Sequence, residues 1–238
     1  MDINVRLFKL RFKEFLKYEL SGWKKQEIIG LSVVFFIVVF NASVLHDSKA
    51  AVISAFCGIL YTVIAGKGKI SCYFFGLMGT SFYSYLAFKN ALWGNLLLYM
   101  CYYFPMQVVG IFKWKNHLKK DTKEIIKTKL SNKERLILFI ISLVLCVCAT
   151  FALMYFNDSR PVFDAVTSVL SVVGMYLTVK RCIEQWIIWL VVNGLSSCMW
   201  LSLIIQGSKA YSTLVMWVVY FILAIYFLVI WKKEMKNF

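Results

Sequence analysis

The chain has 238 residues, of which 61% are hydrophobic and only 16% charged, so nearly all of it is taken up by long apolar runs and no separate soluble domain fits beside them. Its net charge of +15 sits at the ends of those runs, in the connections and both tails, where membrane orientation accounts for it and nucleic-acid binding is not needed. All seven cysteines fall inside or at the edge of apolar runs, which implies no disulfide framework.

In chain order, residues 1–27 form a basic, Phe/Leu-rich segment whose pattern predicts an amphipathic helix on the inner leaflet. Eight apolar stretches follow, at about 28–45, 50–66, 70–88, 91–112, 136–156, 162–179, 183–205 and 210–231. Each has roughly the 17 to 25 residues that a helix needs to cross the bilayer core. The first ends in Asn41, Ala42, Ser43 and Val44 with no small-residue cleavage site, and therefore reads as a retained helix.

With the N-terminus inside, 23 of the 27 Lys and Arg residues fall in inner segments, and the outer connections hold only Lys49, Lys89, Arg160 and Lys209. This alternation supports eight spans with both termini cytoplasmic. A shift of 113 residues places Ile70 on Ile183, Tyr73 on Trp186 and Thr80 on Asn193, and both copies end in an aromatic-basic pair, Trp114–Lys115 and Trp231–Lys232. The expected fold is an all-α polytopic membrane protein. An N-terminal helix at 28–45 precedes two parallel three-helix repeats, 46–114 and 160–238, joined through a basic loop at 115–135 by a linker helix at 136–156.

Signals for enzyme chemistry or a metal are weak. His46 and His117 lie on opposite sides of the predicted membrane, and Cys146 and Cys148, two apart on a helix, point to different faces. Gly66, Lys67, Gly68 and Lys69 lack the frame of a phosphate loop and read as a tight turn with anchoring lysines. We therefore expect no catalytic residue, cofactor or metal.

Polar groups inside lipid are costly, which directs attention to the seventh stretch. Trp186, Trp189, Asn193, Ser197 and Trp200 recur at three- and four-residue spacing and share one face, with Asn193 about 15 Å from the inner end. An interfacial belt explains Trp186 but not Trp189, and helix-to-helix bonding is the ordinary alternative for Asn193. The fourth stretch adds Asn95, Tyr99, Tyr102, Tyr103 and Gln107, with a kink predicted at Pro105. Glu184 is expected to pair with Lys180 or Arg181, and Asp164 to make a structural or gating bond at the outer start of the sixth stretch. No charged residue lies at the middle of a span, which argues against ion coupling.

These motifs resemble a known family. Gly66, Lys67, Gly68, Lys69 and Ile70 with Phe75 and Gly76, then Tyr103, Phe104, Pro105, Met106 and Gln107 with Gly110 and Trp114, then Phe163, Asp164 and Ala165, and finally Glu184 to Trp189 with Asn193 are similar to the PnuC family of nicotinamide riboside importers over about residues 50–233. The resemblance implies a fold related to the SWEET sugar transporters, a homotrimer in the bacterial inner membrane, and a link to a cytoplasmic riboside kinase. It places the substrate site at Trp186, Trp189, Asn193 and Gln107, to which the residues themselves add Tyr103 and Ser197. Met175 stands where the family pattern has Gln, which puts specificity toward nicotinamide riboside in question because relatives carry thiamine or riboflavin. A pyridinium ribose with a carboxamide suits tryptophan faces and amide partners. Facilitated diffusion, pulled by phosphorylation inside, is the expected mode. A different vitamin or sugar carrier, or a membrane receptor or assembly protein, remain the alternatives.

Overall fold

The computed structural model describes residues 13, 17–19, 21–45, 49–89, 96–122, 124–156, 160–206 and 211–236. Asn95, His46 and most of the 1–27 segment lie outside them. Among the described residues the helices run α1 (Lys25–Leu45), α2 (Lys49–Gly66), α3 (Cys72–Lys89), α4 (Phe104–Lys115), α5 (Asn132–Tyr155), α6 (Pro161–Val179), α7 (Glu184–Ile205) and α8 (Tyr211–Lys236). There is no strand among them beyond the isolated bridges Leu118–Ile125 and Thr128–Cys182.

Local signals set several boundaries. Ser131 caps α5 by accepting from the Glu134 N–H while the Glu134 side chain accepts from the Ser131 N–H, a reciprocal pair that satisfies two orphan donors. Pro161 opens α6, where its missing N–H costs nothing. Around Pro105 the fourth stretch departs from a simple kink. Leu98–Tyr103 is π-helical and runs directly into α4, with the Phe104 N–H reaching back to the Tyr99 carbonyl. Proline has no N–H to give to the turn before it, and the wider π turn absorbs that mismatch.

Among the described residues four helical segments are each long and apolar enough to cross a bilayer: Lys49–Gly66, Asn132–Tyr155, Pro161–Val179 and Leu214–Lys236. α5 buries little of itself. Leu136, Phe139, Leu143 and Phe151 all face outward from it, as expected of a helix whose solvent is lipid.

Packing sorts the helices into two groups, α2–α3–α4 and α6–α7–α8, with α5 lying on α6 and α1 on α2 and α8. The groups meet where α4 packs on α6 and α8 packs on α2. The buried indole of Trp114 donates to the Thr178 carbonyl near the end of α6 at 3.1 Å, and that of Trp231 donates to the Gly66 carbonyl at the end of α2 at 2.7 Å. Tyr73 meets Trp114 edge to face at 5.0 Å, and Trp186 meets Trp231 the same way at 5.6 Å. The turns after α2 and α6 share one left-handed residue each, Gly68 at φ 71° and Arg181 at φ 63°. Glycine adopts that conformation freely, whereas arginine does so only against steric cost.

The basic connection between α4 and α5 is stitched to both turns. Ile125, fully buried, donates its N–H to the Gly68 carbonyl, Thr128 donates to the Arg181 carbonyl, and the Ile183 N–H returns to the Thr128 carbonyl, each at 2.9 Å. Lys127 pairs with Glu234 and lies 4.9 Å from the Trp231 ring centre. The N-terminal segment anchors to the same end: buried Lys69 donates to the Tyr18 carbonyl and, at 2.8 Å, to the Ser21 carbonyl. This end, which carries both turns and the 116–131 strap, is the basic end of the bundle.

Candidate functional site

The expected pairing of Glu184 with Lys180 or Arg181 is not what the fold provides. Glu184 Oε1 accepts from Arg135 Nη2 at 2.6 Å and Nε at 3.0 Å, and its carboxylate also receives the Leu130 N–H at about 3.2 Å. The strap carries the start of α5 over the first turn of α7, and a guanidinium fork outcompetes neighbours in the same turn. Lys180 instead lies 4.9 Å from the Tyr176 ring centre.

At the junction of α2, α3 and α4 sits a buried polar group. Gln107, only 5% exposed, donates from Nε2 to the buried Thr80 hydroxyl at 2.8 Å, while its Oε1 has no partner. Gly76 leaves the space that this amide fills: a Cβ there would stand 2.9 Å from Gln107 Oε1 and 2.8 Å from Tyr61 Cδ2. Tyr61 in turn donates to the Met175 sulfur at 3.7 Å. Tyr102 donates to the Val172 carbonyl at 2.7 Å, and its ring lies 5.8 Å from that of Tyr103. Tyr83 stacks on Tyr99 at 4.2 Å, and Tyr99 meets Tyr103 edge to face at 4.9 Å. Tyrosines brought forward by the π-helical stretch therefore line the contact of α4 with α3 and α6.

On α7 the two tryptophans lean to different neighbours. Trp186, 3% exposed, packs against Phe227 and Trp231 of α8. Trp189 lies on α6, where its indole donates to the Thr178 hydroxyl at 3.3 Å, and Gly174 leaves room for it, a Cβ there standing 3.0 Å from the ring. Asn193 is 5% exposed, and Ser197 turns its hydroxyl back to the Asn193 carbonyl at 2.7 Å. Thus Trp189 rests on α6 at Gly174 and Thr178, Tyr61 of α2 reaches α6 at Met175, and the Gln107 amide lies on the other side of Tyr61, held by Thr80 of α3. Trp186 lies toward α8, Asn193 sits one turn further along α7, and the Ser197 hydroxyl is committed to its own helix.

Thr80, Thr178 and Tyr61 complete this surface and are not among the residues expected from sequence. Thr80 carried a signal, since the 113-residue shift places it on Asn193. Thr178 and Tyr61 had none, because their roles depend on the approach of helices far apart in the chain. Among the described residues no cluster of His, Cys, Asp and Glu is arranged to hold a metal. The buried hydrogen-bonding groups left without partners include Tyr73 Oη, Gln185 Nε2, Trp186 Nε1 and both Nε and Nη1 of Arg181.

Comparison with known proteins places this arrangement. The profile of the nicotinamide mononucleotide transporter family matches residues 48–233. The nicotinamide riboside transporter PnuC of Neisseria mucosa is 32% identical over 228 residues, covering 91% of this chain and 84% of that protein. Its counterpart in Haemophilus influenzae is 32% identical over 188 residues, covering 78% and 83% respectively. A crystal structure of the vitamin B3 transporter PnuC superposes with a TM-score of 0.81 at 32% identity, covering 94% of this chain and 98% of that one. The chain is a multi-pass membrane protein and belongs to the PnuC family of transporters.

Proposed function

We propose that the protein carries nicotinamide riboside across the bacterial inner membrane. The observation that carries the reading is that an indole face from α7, Trp189, and a tyrosine of the π-helical stretch before α4, Tyr102, both rest on α6, while the unpartnered Gln107 Oε1 of α4 is buried beside Tyr61, which bonds Met175 of α6. Trp189 and Trp186 supply faces for a pyridinium cation, each worth about 0.5 to 2 kcal/mol depending on desolvation. Asn193 and Gln107 supply amides for the carboxamide and ribose, and Tyr103 a further hydroxyl; Ser197 contributes through the Asn193 carbonyl that it holds. Two relatives covering most of the chain are named for this substrate, which supports it over thiamine, riboflavin or a sugar.

The architecture behind this reading is eight spans, with α1 outside two parallel repeats, α2–α4 and α6–α8, linked by α5. The reciprocal indole bonds of Trp114 and Trp231, and the left-handed residues exactly one repeat apart in the two turns, support it. The basic end faces the cytoplasm, with both termini on that side, and three copies assemble as a homotrimer. Transport is facilitated diffusion, with accumulation driven by a riboside kinase inside. The supporting observation is that the site is built from amides, hydroxyls and aromatics, while Glu184 is taken up by Arg135 and Asp164 lies in the first turn of α6.

Uptake of labelled substrates into proteoliposomes tests this. Nicotinamide riboside is expected to enter, to equalise across the bilayer whatever proton or sodium gradient is imposed, and to accumulate only with kinase and ATP enclosed. Entry of thiamine or riboflavin in its place would overturn the substrate, and uphill uptake driven by an ion gradient alone would overturn the mechanism.

A further inference from the structure

The unpartnered polar groups at the basic end have one chemistry in common. Arg181 keeps two buried N–H donors without an acceptor, and Gln185 Nε2, four residues on and 1% exposed, is equally unpartnered. The Tyr73 hydroxyl, completely buried, has no partner either; its ring packs on Trp114 at 5.0 Å, and the Trp114 indole shares the Thr178 carbonyl with the Arg181 N–H. The carboxylate three residues on in the chain, that of Glu184, is already held by Arg135 and the Leu130 N–H. The neighbouring cation, Lys180, lies against Tyr176. Arg181 is also held at φ 63°, at the position where the matching turn has Gly68. The backbone there suits glycine, so the guanidinium is retained at a conformational cost. A cluster of buried donors around an unpaired guanidinium calls for a multivalent anionic acceptor, and a phosphate monoester matches it in charge and in oxygen count.

We infer that Arg181, with Gln185 and the Tyr73 hydroxyl, forms a phosphate-monoester site at the basic end, apart from the riboside site, and that the phosphorylated product made inside binds there and slows further uptake. The inference rests on the transport reading above for its consequence but not for its chemistry. The riboside carries no phosphate, so the aromatic–amide surface can pass it while this site responds only to the ester.

The test uses the full chain in nanodiscs of phosphatidylcholine, titrated with nicotinamide mononucleotide, ribose 5-phosphate and inorganic phosphate. The native protein is expected to bind both esters, and Arg181→Gly, which also relaxes the left-handed turn, to lose at least about tenfold in affinity, while Arg181→Lys retains part of it. Tyr73→Phe should weaken ester binding without lowering the unfolding temperature. In proteoliposomes, enclosed mononucleotide should slow riboside uptake by the native protein and leave Arg181→Gly unaffected, with riboside uptake alone equal in the two. Equal ester binding by native protein and Arg181→Gly overturns the site. So does loss of ester binding when phosphatidylglycerol replaces phosphatidylcholine, which would assign Arg181 to a lipid headgroup. Ester binding that depends on Arg181 in a protein that moves no riboside supports the site while refuting the transport reading.

Discussion

Gly76→Ala strikes the candidate site through a single methyl group. The added Cβ would stand 2.8 Å from Tyr61 Cδ2, 2.9 Å from Gln107 Oε1 and 3.1 Å from Gln107 Cδ. Comfortable carbon–carbon contact begins at about 3.5 Å, so the Tyr61 ring must retreat by about 0.7 Å and the amide by a few tenths. Neither is free to go. Tyr61 is bonded to the Met175 sulfur and packed on Tyr73, and the Gln107 amide is pinned by Thr80 at 2.8 Å. Overpacking of this kind costs about 1 to 3 kcal/mol, which for a chain of this size lowers the unfolding temperature by roughly 2 to 12 °C. Gly30→Ala is the control, since nothing lies within 4 Å of its Cβ and alanine favours a helix by about 0.5 to 1 kcal/mol. Differential scanning fluorimetry of the purified protein reads both, and riboside titration should show weakened binding only for Gly76→Ala. Adding Gln107→Ala removes one of the two clashes, so the double variant should be less destabilised than the sum of the singles. Equal unfolding temperatures for Gly76→Ala and Gly30→Ala would refute the reasoning.

Three further outcomes are expected. Trp189→Ala or Asn193→Ala should weaken riboside binding by about 1 to 3 kcal/mol with expression intact, and an unchanged dissociation constant for the double variant would remove stacking from the mechanism. Cysteine tags at positions 120 and 236 should react from the cytoplasm and a tag at 208 from outside; a tag at 236 that reacts only from outside would break the eight-span topology. Burial pushes the Glu27 carboxyl upward, but hydrogen bonds from Lys67, the Lys24 N–H and Tyr226 outweigh it and hold the group below its ordinary value of 4.5. A depressed carboxyl stabilises above its unfolded value and less so as pH falls through the folded one, so acidification below about pH 4.5 should loosen α1 from α2 and α8. Glu27→Gln should flatten that dependence in protease-accessibility assays, and an identical pH profile for the variant would exclude the carboxyl.

What sequence disclosed here follows from range. Span positions, the basic turns and the exit tryptophans rest on hydropathy and charge within about twenty residues, and α2, α6 and α7 begin within one or two residues of where that pattern puts them. The π-helical stretch was not legible, because a proline preceded by tyrosines announces a disturbed helix without saying which way it is resolved. Likewise the partner of Glu184 was hidden. Lys180 and Arg181 are its neighbours in the chain, whereas Arg135 reaches it only because the strap fixes the start of α5 above α7. The divergence of Trp186 and Trp189 has the same origin, since helical spacing puts them on one face but α6 and α8 pull their rings apart.

The strap also bears on how such a carrier opens. At the basic end the two groups of helices are joined by the three backbone hydrogen bonds of Ile125, Thr128 and Ile183, and by the ion pairs of Lys127 with Glu234 and Arg135 with Glu184. A backbone bond contributes about 0.5 to 1.5 kcal/mol net, and ion pairs with an exposed partner, as Glu234 and Arg135 are, contribute about 1 kcal/mol or less. Together they amount to a few kcal/mol. Releasing the strap alone therefore costs a few kcal/mol, the order of free energy that separates major from minor conformers of a protein. A closure of many weak links, with no titrating charge at the middle of a span among the described residues, is what the proposed facilitated diffusion requires.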